Sequence, residues 1–271
     1  MYDFSFGDRD YILENQEDFL IFCKRLLPRW INGIPDSECL AIYRILRQNK
    51  KPPAVLVETG CGASSLALFL HASLTGGKVY SWDTNGSKGA FLRSVISDSM
   101  GRVLDVDLHK IWQFIPFDST NPHIGINVLP ELGLKADFGF FDSWHTLDHL
   151  MNEIRSFEKV ASDSFIIALD DAYYRKKYEN FSYINMLRKK IGLDIVDEPD
   201  DNICRPFYVE VEDYLKKKYS TVDKIDDSYK KDYKDDIFFQ YYDSDRAFIN
   251  ALGMEEKEKL DHRFDAWRVI R

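Results

Sequence analysis

Cysteine is scarce in this chain: four in 271 residues, Cys23, Cys39, Cys61 and Cys204, with no two close together. That usage fits neither a disulfide framework nor a cysteine zinc knuckle. Long apolar runs are missing as well, since stretches such as Phe165 to Leu169 reach only strand length, so no transmembrane span and no membrane partner is expected. An excess of positive charge is also lacking. Lys and Arg number 36 against 45 Asp and Glu, a net charge of -9, which disfavours a broad footprint on nucleic acid or anionic lipid. The first ten residues carry Asp3, Asp8 and Asp10 where a secretion signal needs basic residues and then an apolar run, and the reading is cytoplasmic. There is no internal repeat and no low-complexity tract.

What remains is a globular chain, 45% apolar and 14% aromatic, long enough for one large domain or a domain with an elaboration, and suited to a small-molecule partner. Residues 1–52 read as an N-terminal helical cap. Phe19, Phe22, Cys23, Leu26 and Leu27 recur at helical spacing, and Cys39, Ile42, Ile45 and Leu46 repeat it after the break Asn32-Gly33-Ile34-Pro35. Beyond Pro52-Pro53, short apolar runs alternate with helical patterns. The expected strands are Ala54–Glu58, Lys78–Trp82, Ile111–Phe117, Asp137–Phe141, Phe165–Leu169, Asp194–Val196 and Phe207–Val211. The expected helices between them are Ser64–Leu74, Lys88–Ser97, Ile126–Leu132, Leu147–Val160 and Tyr183–Ile191. This alternation predicts an α/β fold: a doubly wound, mostly parallel seven-stranded sheet over residues 53–211, with its sites at the carboxyl ends of the strands.

In the Leu147 pattern, Leu147, Leu150, Met151, Ile154 and Phe157 form the packed stripe, while Asn152, Glu153, Arg155 and Ser156 face away. Residues 212–271 read as a mostly helical C-terminal extension, near neutral with 15 acids and 13 Lys or Arg. Phe238, Phe239, Tyr241 and Tyr242 in that extension would either pack inside the molecule or form a subunit contact, and a homodimer is the expected assembly.

The run Val57-Glu58-Thr59-Gly60-Cys61-Gly62-Ala63-Ser64 is a strand, a tight glycine turn and a helix start, the arrangement that brings a backbone close to a nucleotide-like ligand. Asp83 lies 23 residues past Gly60, at the end of the next strand, where a carboxylate accepts from ribose hydroxyls. Glu58 repels a phosphate but suits an ammonium or sulfonium, so a cationic cofactor with a ribose and a base is expected. On these residues the chain resembles the class I S-adenosylmethionine-dependent methyltransferases, and the resemblance implies their Rossmann-like methyltransferase fold. It also implies Glu58, Gly60, Gly62, Ser64 and Asp83 as cofactor-binding residues, and Asp118 as the acid that meets the adenine amino group.

Three further acids end two strands: Asp142 after Asp137–Phe141, and Asp170 with Asp171 after Phe165–Leu169. If the strands are neighbours the carboxylates converge, and a hard divalent cation such as Mg2+ relieves their repulsion while leaving positions for two substrate oxygens. This arrangement is similar to that of the metal-assisted O-methyltransferases, of the catechol type and of the type acting on macrolide and aminocoumarin sugars. The resemblance implies Asp142, Asp170 and Asp171 as metal ligands and His145 as general base. Ser143 and Trp144 replace the common Gly and Asp between those positions, which implies a different substrate pocket, with Trp144 lining it.

The plain alternatives are helix capping by Asp142 and by the Asp170-Asp171 pair, and an ordinary hydrogen-bonded role for His145. His145 and His149 share one helical face, but Leu150 and Met151 place His149 beside the packed stripe. Cys61 reads as a small packing residue.

The expected activity is methyl transfer from S-adenosylmethionine to a hydroxyl of a small molecule, a sugar or vicinal diol, with Mg2+ assistance. The rivals are a metal-independent O- or N-methyltransferase, a nicotinamide-dependent oxidoreductase or epimerase, and a non-catalytic cofactor-binding module. Lys177 stands three residues after Tyr174, one short of the Tyr-x-x-x-Lys pair that the oxidoreductase reading wants.

Overall fold

Five apolar runs become the parallel strands β1 (Val55–Thr59), β2 (Lys78–Trp82), β3 (Trp112–Ile115), β4 (Ala136–Phe141) and β5 (Ala161–Leu169). They belong to a computed structural model that describes residues 8–28, 30–49, 52–170, 172, 185–195, 205–226, 228 and 264–271. Two further strands, β6 (Thr221–Lys224) and β7 (Asp265–Ile270), complete a seven-stranded sheet in the order β3-β2-β1-β4-β5-β7-β6. β7 runs antiparallel to both of its neighbours, and the other pairings are parallel.

The inner strands are apolar on both faces because both faces are covered. Successive side chains point to opposite sides of a strand, which divides the core in two. Leu56, Phe138, Phe140, Ile166 and Ala168 pack with the helices Gln16–Arg25, Asp36–Arg47 and Ser64–Thr75. Val57, Phe141, Ile167 and Leu169 pack with the helices Leu147–Val160 and Phe207–Lys218. On the second face the ring of Phe157 meets Phe141 and Phe165 edge-on at 5.6 and 5.8 Å.

The N-terminal helices are tied together by Asp36, whose carboxylate accepts from buried Lys24 at 2.9 Å and from Arg25 at 2.8 Å. They also reach the glycine turn, because a Cβ added at Gly62 would stand 3.0 Å from the Ile31 carbonyl oxygen.

The structure departs from the sequence reading in four places. Phe207–Val211, expected as a strand, opens the helix Phe207–Lys218: Pro206 precedes its first turn, and Phe207, Val211 and Leu215 are the buried residues, spaced four apart. Asp194 and Ile195 are not in a strand, and Val196 lies outside the described residues. The segment after Val211 contributes strands as well as helix, with β7 sitting inside the sheet between β5 and β6. Glu153 and Ser156, expected to face away from the packed stripe, are 1% and 8% exposed. The aromatic cluster from Phe238 to Tyr242 lies outside the described residues. Among the described residues no helix is long and apolar enough to cross a membrane.

Candidate cofactor site

β1 is flanked by β2 on one side and β4 on the other, so the strand order turns back on itself there, and in such sheets the crevice at the carboxyl ends is where ligands bind. A cavity of about 330 Å³ occupies that position, within the range of small-molecule sites. Gly60 lines it from the end of β1, Asp83 from the end of β2, Asp118 from the loop after β3, and Asp142 from the end of β4.

Gly60 adopts a left-handed conformation with φ of 78°, and its amide donates to the Trp82 carbonyl at 2.8 Å. The end of β4 passes directly over it: an added Cβ would stand 1.5 Å from the Asp142 carbonyl oxygen. The bare glycine therefore lets three strand ends converge at one point, and no side chain obstructs the cavity there.

Glu58 does not reach the cavity. It is fully buried, and it accepts the hydroxyls of Ser64 at 2.6 Å, Ser65 at 2.7 Å and Ser81 at 2.5 Å. Burial pushes its carboxyl above the usual range, against the pull of the three hydroxyls. Ser65 Oγ in turn accepts from the Gly62 amide at 3.1 Å. Glu58 and Ser64 thus brace the glycine turn from behind, and neither they nor Gly62 line the cavity.

Asp83 is held in place by its neighbours. Its Oδ1 accepts from the Asn85 amide at 2.7 Å, and its Oδ2 lies 3.2 Å from the Lys88 ammonium. Burial works against the charge on Lys88, but Asp83, with smaller contributions from Cys61 and Asp142, holds its ammonium above the ordinary lysine value. Cys61 is buried, and burial raises its thiol far above the usual value, which fits a packing residue and not a nucleophile.

Asp118 accepts from both the amide and the hydroxyl of Thr120 at 2.7 Å. Burial raises its carboxyl, but the Thr120 hydrogen bonds and the charge on His149 outweigh that and leave it below the usual range. Two aromatic side chains, Phe117 and Trp144, line the same cavity while 48% and 65% exposed. Exposed rings over a cavity offer a stacking surface for a flat base.

The residues anticipated for the reaction end divide. Asp142 lines the cavity, whereas His145 is exposed and does not line it. Asp170, 7% exposed, follows β5, its amide donating to the Phe141 carbonyl at 3.2 Å, so the ends of β4 and β5 are indeed adjacent. Asp171 lies outside the described residues, among which no group of three His, Cys, Asp or Glu is disposed to hold a metal ion.

His149 is a correction: the sequence placed it beside the packed stripe, yet it lines the cavity. Its partner Glu153 and the pocket residues Lys88 and Phe117 were missed as well. The four-residue spacing of His149 and Glu153 was the available signal, because such positions meet on one helix face.

The doubly wound sheet and the cleft at its switch point give the chain the Rossmann-like fold of the class I S-adenosylmethionine-dependent methyltransferases. Over 97% of this chain and 96% of the other, the structure is similar to that of an O-methyltransferase from Bacillus cereus in complex with SAH, with a TM-score of 0.51 and 10% identity. A more distant likeness is to the O-methyltransferase TomG from Streptomyces achromogenes, with a TM-score of 0.45 and 14% identity over 71% of this chain and 74% of that one. No protein-family model matches the sequence, and no curated protein matches it.

Proposed function

We propose that the protein is an S-adenosylmethionine-dependent methyltransferase that modifies a hydroxyl of a small molecule, with a sugar or other vicinal diol as the acceptor class. One observation carries the reading: a left-handed glycine at the end of β1 opens a cavity that Asp83 and Asp118 flank from the next two strand ends. The SAH complex of the Bacillus cereus protein, which shares the fold, supports it.

The residues fit the cofactor. Gly60 permits close backbone approach, Asp83 is the acceptor for ribose hydroxyls, Asp118 is the acceptor for a base amino group, and Phe117 and Trp144 provide apolar walls for the base. When bound, S-adenosylmethionine supplies a methyl group on a positive sulfur that leaves as a neutral thioether. The protein's part is then to orient the acceptor oxygen in line and to remove its proton. Asp142, at the end of β4 and on the cavity, is placed to hold the acceptor hydroxyl.

The finer form of the reading adds a divalent cation held by Asp142, Asp170 and Asp171, with His145 taking the proton. Asp170→Asn and chelation test it: the metal form predicts that both abolish methyl transfer while SAH binding persists, and full activity under either treatment contradicts it.

The cofactor role of Asp83 is checked by calorimetry. Asp83→Ala is expected to weaken SAH binding about 100-fold, the worth of about 2.7 kcal/mol of charge-assisted hydrogen bonding. Unchanged affinity would remove Asp83 from the site.

A further inference from the structure

Behind the part of the cavity that holds Asp118, one buried carboxylate ties three lining side chains together. Glu153, on the Leu147–Val160 helix, uses a single oxygen, Oε1, to accept the hydroxyls of Ser119 and of Ser143, the latter at 2.8 Å. The same oxygen lies 3.3 Å from Nε2 of His149. Ser119, Ser143 and His149 come from the loops after β3 and β4 and from the helix, and all three line the cavity. An ionised carboxylate only accepts, so Nε2 carries its hydrogen in either charge state of the ring. Nδ1 is therefore the atom that gains or loses a proton: an acceptor when the imidazole is neutral and a donor when it is charged.

We propose that His149, positioned by Glu153, is a base-reading residue of the cofactor site, which together with Asp118 supplies the N–H donor and the carboxylate acceptor that an amino-purine requires. The inference rests on the reading of this cavity as the S-adenosylmethionine site and deepens it. Adenine donates from its amino group and accepts at its ring nitrogens. A 6-oxo purine puts an acceptor where adenine has the amino group, and that acceptor would repel Asp118.

The donor at Nδ1 of His149 exists only while the ring is charged. The hydrogen bond to Glu153 raises its pKa, burial opposes this, and the charges of Glu153 and Asp118 add to the rise, so the ring keeps its second proton to higher pH than an ordinary histidine. Among the described residues those two carboxylates are the charged groups acting on it, one from its own helix and one from the loop after β3; Asp83, Asp142 and Lys88 also line the cavity. Because the pKa is raised, the donor is fully present at pH values below the usual imidazole value and is lost as pH rises through the elevated one.

The test is calorimetric titration with SAH from pH 6 to pH 9 on the full chain, with far-UV circular dichroism confirming the fold of each variant. Wild-type affinity is expected to fall about tenfold across that range, the worth of one charge-assisted hydrogen bond. His149→Gln is expected to bind more weakly at pH 6 and to show no such fall. Glu153→Gln, which keeps an acceptor but removes the charge, is expected to move the midpoint to lower pH, a shift that loss of packing alone would not produce. The hypoxanthine analogue S-inosylhomocysteine is expected to bind the wild type at least about tenfold more weakly than SAH. Wild-type binding that does not vary with pH, or a fall that persists in His149→Gln, overturns the inference while leaving the cofactor site standing. Absence of SAH binding at every pH in folded wild-type protein overturns the cofactor reading itself.

Discussion

Gly60→Ala is expected to cost about 2–5 kcal/mol of stability and to abolish SAH binding. Two effects add. An alanine held at φ of 78° costs about 1–2 kcal/mol in backbone strain. Its methyl would also stand 1.5 Å from the Asp142 carbonyl oxygen, so the end of β4 must move, and overpacking of that kind costs about 1–3 kcal/mol. The displaced segment carries Asp142, Ser143 and Trp144 out of their places on the cavity wall, which is why binding should fail along with stability. Gly76 provides the control. It has nearly the same φ, 75°, with nothing within 4 Å of an added Cβ, so Gly76→Ala should cost only the backbone part. Urea unfolding at constant slope reads both, and equal losses in the two variants would show that the close crossing of β4 over the turn is absent.

Trp267→Ala is expected to destabilise by about 3–5 kcal/mol, the usual range for emptying a buried indole site. Trp267 is fully buried in the middle of β7, paired with Ile167 of β5 on one side and Lys224 of β6 on the other. Removing it opens a void beneath the Leu147–Val160 and Phe207–Lys218 helices, in the same core as Phe157 and Phe165. A chain of this length loses roughly 2 °C in Tm per kcal/mol, so a drop of about 6–10 °C is expected. Ile270→Ala, at the 42% exposed end of the same strand, should move Tm far less. A Trp267 variant as stable as the wild type would mean that β7 is not integral to the sheet.

That strand marks the limit of what the sequence made legible. β1, β2, β4, β5 and the Leu147–Val160 helix could be read from their residues, because parallel strands buried on both faces are short apolar runs and an amphipathic helix carries a periodic stripe. Phe207–Val211 misled because Phe207, Val209 and Val211 alternate like a strand, while the helical spacing emerges only when Leu215 is included. β7 escaped notice because Phe264-Asp265-Ala266-Trp267-Arg268-Val269 follows a long polar tract, and its pairing with β5 spans about a hundred residues that local pattern does not report. In the site, Gly60, Asp83 and Asp142 were found from their positions at strand ends and Asp118 from the methyltransferase resemblance, and the fold brings the four to one cavity. Glu58 was assigned to the ligand on its charge, yet three serine hydroxyls retain it inside the turn. Glu153 shows the converse: polarity placed it in water, whereas hydrogen bonds from Ser119 and Ser143, which only the folded chain brings together, keep it buried.

The most direct test of the central claim is calorimetric titration of the folded, metal-stripped protein with S-adenosylhomocysteine, run without and with added Mg2+. Saturable binding at a single site, weakened by Asp83→Ala, is the predicted result, and an effect of Mg2+ on that binding would place the ion beside it. Folded protein that binds no S-adenosylhomocysteine in either condition would contradict the assignment of the cavity at the ends of β1 to β4 as a methyl-donor site.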